Sequence, residues 1–133
     1  MAKKQGRGNI LESLIGAGGG IGSSLASAFC FDRWTDVDMK DGSRKAIGSV
    51  KLGDALKGGE VISIRISQGK EGTLYFYKGV LVTGTHAVKD KDKWIRVKDA
   101  FGATQVEGSN AVYSLVTTGH RIFVNGVEFA DEV

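Results

Sequence analysis

Cys30-Phe31-Asp32-Arg33-Trp34-Thr35-Asp36-Val37-Asp38-Met39-Lys40-Asp41-Gly42-Ser43 is the stretch at which the chain changes character. Just before it, residues 13–31 carry no charge, and five glycines fall within residues 16–22. From Thr35 to Met39 polar and apolar residues alternate, the period of a half-buried strand. That period puts Asp36 and Asp38 on one face. Asp41-Gly42 is a hairpin-type turn signal, so Lys45 to Val50 is expected to run back along the first strand.

The same pattern continues downstream. Gly53-Asp54 and Gly58-Gly59 mark turns, and Val61 to Ile66 reads as a strand. Leu74 to Tyr77 and Val80 to Thr83 flank Lys78-Gly79. Trp94 to Val97, Ala111 to Thr117 and Ile122 to Val124 follow. Asn125-Gly126 then turns the chain into Val127 to Phe129. No helical stripe of useful length is present after residue 30. The expected class is all-β. Trp34, Tyr75, Tyr77, Trp94 and Tyr113 are expected as core or edge aromatics rather than a stacking platform.

Upstream, Lys3, Lys4 and Arg7 precede the uncharged stretch and Ala26-Ser27-Ala28 lies near its end. This imitates a secretory signal. Glu12 and the glycines make a poor apolar helix, and the stretch is too glycine-rich for a membrane span. Residues 1–29 are therefore expected to form a separate glycine-rich segment, with targeting or membrane association as its possible roles. A cytoplasmic or virion-associated setting is expected over secretion. Gly16 to Gly22 resembles a dinucleotide-binding loop, but neither the strand before it nor the alternating helices after it are present. No cofactor is expected.

Composition narrows the function further. The 133 residues suit one compact domain. The net charge of +3 comes from 18 basic and 15 acidic residues that are interspersed. There is no basic stripe for nucleic acid. A single cysteine excludes an internal disulfide and a cysteine-rich zinc site. Cys30, His86 and His120 have no paired metal-ligand spacing, so no metal is expected. No G-x-S-x-G elbow supports a serine hydrolase.

Cys30 alone reads as a small buried hydrophobe. Its setting adds to that. Residues 30–43 resemble the opening of Hint (hedgehog/intein) domains, in which a nucleophilic cysteine, a strand and a D-G-S turn follow one another. Ile47, Val50, Gly53-Asp54 and Gly58-Gly59 extend the likeness. Gly79 to Val88 contains Thr83-Gly84-Thr85-His86, which is similar to the family's T-x-x-H motif. Val112 to Gly126 is similar to its late strand pair with a histidine, here His120. The resemblance runs from residue 30 to about 131. It implies a compact all-β Hint fold over residues 30–133, horseshoe-like and with a pseudo-two-fold arrangement. Residues 1–29 would then be the extein-like partner.

The resemblance also implies chemistry. Cys30 would attack the Phe29–Cys30 peptide bond, giving a thioester and freeing the Cys30 nitrogen. A free thiol has a pKa of about 8.5, and an amide is a poor acyl donor. A strained bond, a polarised carbonyl and a proton for the leaving nitrogen are each expected to help. His86 is the candidate proton donor. Thr83 is expected near the scissile carbonyl. A regular strand would put Thr83 and His86 on opposite faces, so a turn must begin near Gly84. His120 is open between an orienting role and that of a polar hairpin residue. Asp131 is open between a base, a partner for His120 and an exposed carboxylate. Asp36 and Asp38 read as a solvated strand face.

In splicing relatives a penultimate His and a terminal Asn close the domain. Here Ala130 and Asp131 occupy those places, and only Glu132-Val133 follow. Cleavage without splicing is expected, with water or a small nucleophile as acyl acceptor and the chain's own N-terminal segment as substrate. The competing reading is an inactive Hint-like module that serves as a structural or interaction part of a larger assembly, such as a viral one.

Overall fold

The computed structural model describes residues 29–70, 73–107 and 111–131. The expected segment 1–29 lies outside the described residues except for Phe29. Among the described residues the elements are strands and two short 3-10 turns, with no α-helix. No helix there is long and apolar enough to cross a membrane.

The strands are β1 (Phe31–Asp32), β2 (Asp36–Asp38), β3 (Arg44–Ala46), β4 (Ala55–Leu56), β5 (Gly59–Gln68), β6 (Leu74–Tyr77) and β7 (Val80–Thr83). They continue with β8 (Ala87–Asp90), β9 (Lys93–Arg96), β10 (Thr104–Gln105), β11 (Ala111–Thr117), β12 (Arg121–Val124) and β13 (Val127–Ala130). A seven-stranded sheet has the order β10-β6-β7-β1-β11-β5-β4, and a four-stranded sheet the order β12-β13-β8-β9. The expected return strand from Lys45 to Val50 is shorter. It ends at Ala46, and a 3-10 turn at Ile47–Ser49 takes over and buries Ile47.

The two halves repeat one local design. In the first, Thr35 N bonds the Asp32 carbonyl (3.0 Å), Ile47 N bonds the Thr35 carbonyl (2.7 Å) and Val50 N closes the 3-10 turn on Ile47. In the second, His86 N bonds the Thr83 carbonyl (3.0 Å), Val97 N bonds the His86 carbonyl (2.9 Å) and Ala100 N closes the turn on Val97. Thr35 therefore stands in one half where His86 stands in the other. This local repetition agrees with the two-fold-like arrangement that the Hint resemblance implies.

Between the halves lies a core of Phe31, Val37, Ile47, Leu56, Val61, Tyr77, Val82, Val88, Val97, Leu115, Ile122 and Phe129 among others. Burying one such side chain contributes about 1.5–3 kcal/mol. β1 is short but central, because Phe31 pairs with Val82 on one side and Tyr113 on the other. The residues just before it are thereby fixed at the middle of the large sheet. Of the expected core or edge aromatics, Trp34 departs: it is 72% exposed, with the Arg33 guanidinium 4.9 Å from its ring.

Candidate functional site

Cys30 leads into β1 and is almost fully buried. Its backbone is gripped from β7. Thr83 N donates to the Cys30 carbonyl (2.9 Å), and the Thr83 hydroxyl donates to the same oxygen (3.2 Å). The Cys30 amide in turn donates to Thr83 Oγ1 at 3.0 Å. The expected partner of Thr83 was the Phe29 carbonyl; these bonds tie its hydroxyl to the main chain of Cys30, including the nitrogen of the 29–30 bond.

A turn does begin at Gly84. It ends β7 at Thr83 and lets His86 N reach back to the Thr83 carbonyl. A Cβ on residue 84 would lie 2.5 Å from the Tyr75 ring, so only glycine lets that ring pack there. The next two carbonyls are also tied. Gly84 O accepts from Lys98 N (2.9 Å) and Thr85 O from the Arg96 guanidinium (2.8 Å). The turn that carries His86 is rigid for that reason.

The His86 ring is fully buried among three phenylalanines. It stacks on Phe29 (centroids 5.0 Å apart, planes 18° apart), tilts against Phe31 (4.5 Å) and meets Phe129 edge-on (5.3 Å). It therefore lies against both neighbours of Cys30 in the chain. Nε2 is 2.7 Å from the Ala130 carbonyl oxygen. A carbonyl only accepts, so Nε2 carries the hydrogen and Nδ1 keeps a lone pair. Nδ1 has no hydrogen-bond partner among the described residues, although the Cys30 main chain lies close enough to favour a proton there.

Burial dominates the ring's charge. It pushes the His86 pKa down to about 4, against the smaller upward pull of the Ala130 and Cys30 backbones. The imidazole is neutral near pH 7. The sequence suggests His86 as a proton donor; near pH 7 the buried ring carries its one hydrogen on Nε2 and a lone pair on Nδ1.

His120 and Asp131 form a second pair. Asp131 is fully buried, and its Oδ2 accepts from Thr117 N (3.0 Å) and lies 3.0 Å from His120 Nδ1. His120 adopts a left-handed backbone (φ 60°) at the end of its turn. The two pairs meet through the chain itself, since Ala130, which accepts from His86, precedes Asp131. Asp36 and Asp38 do not join them. Asp38 holds Arg44 and the Gly126 amide, a structural role. Among the described residues no group of three His, Cys, Asp or Glu is placed to hold a metal.

Several contributors were not singled out as site residues in the sequence: Phe31, Phe129, Thr117 and the Ala130 carbonyl. Trp94 is another. It packs with Phe29, Ala87 and Ala130 while the Arg121 guanidinium lies 4.9 Å from its ring. Their signal was no more than an apolar residue at a strand position, and the carbonyl leaves no signal at all.

No protein-family model matches the chain, and no curated protein matches it. Solved structures do. The DnaB intein from Synechocystis sp. PCC 6803 superposes with a TM-score of 0.64 at 14% identity, covering 80% of this chain and all of that one. The gp41-1 intein gives 0.63 at 15% identity, with 79% and 100% covered. The MchDnaB-1 intein gives 0.60 at 17% identity, with 76% and 99% covered. The chain has the all-β, Hint-like fold of inteins.

Proposed function

We propose that this chain is a self-processing domain whose substrate is its own Phe29–Cys30 peptide bond. One observation carries the reading: the neutral His86 ring, fixed by Ala130 and stacked on Phe29, keeps an unpartnered Nδ1 beside the Cys30 backbone. The intein-like fold is consistent with it.

The chemistry balances. The Cys30 thiol releases its proton to solvent, and the sulfur bonds to the Phe29 carbonyl carbon. The carbon–nitrogen bond then breaks, and the Cys30 nitrogen takes a proton from Nδ1, which has drawn one from solvent. A thioester and a free amine result, with no net proton gained or lost. Burial makes the protonated ring a strong acid, which favours its transfer to the departing nitrogen. Acid–base help of this kind contributes about 10²–10⁴ in rate. Thr83 holds the departing nitrogen in place throughout.

The thioester then passes to water or a small thiol or amine, releasing residues 1–29. Asp131 carries no side-chain amide nitrogen, so the ring closure that an asparagine performs is not open to it. Cleavage without splicing is the outcome this favours. The test is incubation of the full chain with dithiothreitol, followed by mass. Two fragments divided between Phe29 and Cys30 support the proposal when Cys30→Ala stays whole. A wild-type chain that stays whole rejects it.

A further inference from the structure

Ser114 is 1% exposed, and its Oγ has no hydrogen-bond partner among the described residues. A hydroxyl buried in this way is costly, because the water it gave up is not replaced. It sits on β11, beside the strand that Cys30 leads into.

The sheet register gives its neighbour. Phe31 pairs with Tyr113 and Asp32 with Val112, antiparallel, and Arg33 N bonds the Ala111 carbonyl. One residue further back, the register puts Cys30 opposite Ser114. With Arg33–Ala111 a bonded pair, Cys30–Ser114 is a pair of the other kind, in which Cα atoms approach to about 4.5 Å and side chains are closer. Directly opposed side chains share a face. Cys30 packs with Leu74 and Val112, and Val112 lies on the Ser114 side of β11. The side chains of Cys30 and Ser114 therefore lie on the same face of neighbouring strands.

We infer that Ser114 is a hydrogen-bond donor to the Cys30 sulfur, held unpaired at rest and engaged when the sulfur becomes anionic. The inference rests on the self-processing reading above. A neutral thiol is a weak acceptor and leaves the hydroxyl unsatisfied. A thiolate is a strong one, and hydrogen bonds to charged partners are the stronger class. An interaction made in the reacting state and absent at rest speeds the step, where an equal interaction in both would not. No proton leaves Ser114. The bond only stabilises charge on sulfur once its proton has left. The titratable groups around this spot are Asp32 on β1, His86 ahead of β8 and Arg65 opposite Ser114 on β5, and a change at Ser114 alters none of them chemically.

The experiment is Ser114→Ala in the full chain, read by dithiothreitol-driven cleavage across pH and by thermal melting of both chains on the Cys30→Ala background. The expected result is cleavage slowed about 10- to 100-fold, with the pH–rate profile moved to higher pH by roughly one unit. The melting temperature stays equal or rises, because an unsatisfied buried hydroxyl has been removed. Unchanged rate and profile overturn the inference. So does a slower rate with an unmoved profile and a lower melting temperature, which marks a packing role only. A wild-type chain that does not cleave sinks the self-processing reading and this inference with it; wild-type cleavage with an indifferent Ser114→Ala sinks this inference alone.

Discussion

Nε2 of His86 lies 2.7 Å from the carbonyl oxygen of Ala130. This single contact fixes the tautomer of the ring and leaves its lone pair on Nδ1. It also joins the start of the described chain to its end, because the ring that stacks on Phe29 is held by β13.

A pH dependence of stability follows from the burial of that ring. The His86 pKa is about 4 in the folded chain against the ordinary 6.5. Between these values the unfolded chain binds a proton that the folded chain refuses, so stability falls as pH drops from 6.5 toward 4. The loss totals roughly 3 kcal/mol. Hydrogen bonds from Ser43 and Lys45 hold the Asp41 and Asp54 carboxyls, respectively, below the usual carboxylate range. Urea unfolding of Cys30→Ala at pH 7 and pH 5 measures the slope. His86→Gln on that background should flatten it by about 1.4 kcal/mol per pH unit where one proton is involved. An unchanged slope contradicts a buried neutral ring.

Thr83→Val keeps the shape of the side chain and removes its hydroxyl. The Cys30 amide then loses its acceptor inside a closed site, at a cost of about 1–3 kcal/mol. Cleavage should slow by roughly 10- to 100-fold, because the departing nitrogen is no longer held. Parallel melting and cleavage assays separate the two effects, and wild-type cleavage in this variant removes Thr83 from the account.

At Asp131 the test is between alanine and asparagine. Asp131→Ala leaves Thr117 N without its Oδ2 acceptor in a buried place and should destabilise by about 1–3 kcal/mol. Asp131→Asn retains an acceptor oxygen and should recover most of that loss. Equal stability of the two variants in urea would show that the Thr117 bond contributes nothing.

The turn that presents His120 depends on a close backbone approach. A Cβ on Gly119 would lie 2.2 Å from the Gly58 carbonyl oxygen. Gly119→Ala must push two turns apart, and such local strain is expected to cost about 1–3 kcal/mol. Thermal melting checks this, and an unaltered melting temperature would mean that the turns give way freely.

How much of this was legible in the chain follows from its turns. Lys78-Gly79 and Asn125-Gly126 both adopt positive φ at their two residues, and glycine or asparagine announced each hairpin. Lys91 and Asp92 adopt the same conformation (φ 51° and 68°) without either signal. Trp94 to Val97 announced β9, but β8 and the turn between them carried neither signal and were not read from the sequence. The motif around Cys30, Thr83 and His86 was readable because spacing and residue type survive in the sequence. The tautomer and charge of His86 were not, since both depend on a carbonyl 44 residues away and on three aromatic rings. Ser114 was hidden by its ordinary place in an alternating strand.

The most direct measurement is trapping with hydroxylamine at neutral pH. A thioester at position 29 is intercepted as a hydroxamate, whereas an intact amide is not. The account predicts a released fragment, residues 1–29, ending in the Phe29 hydroxamate, and none from Cys30→Ala. Full-length wild-type chain of unchanged mass after prolonged exposure would contradict it.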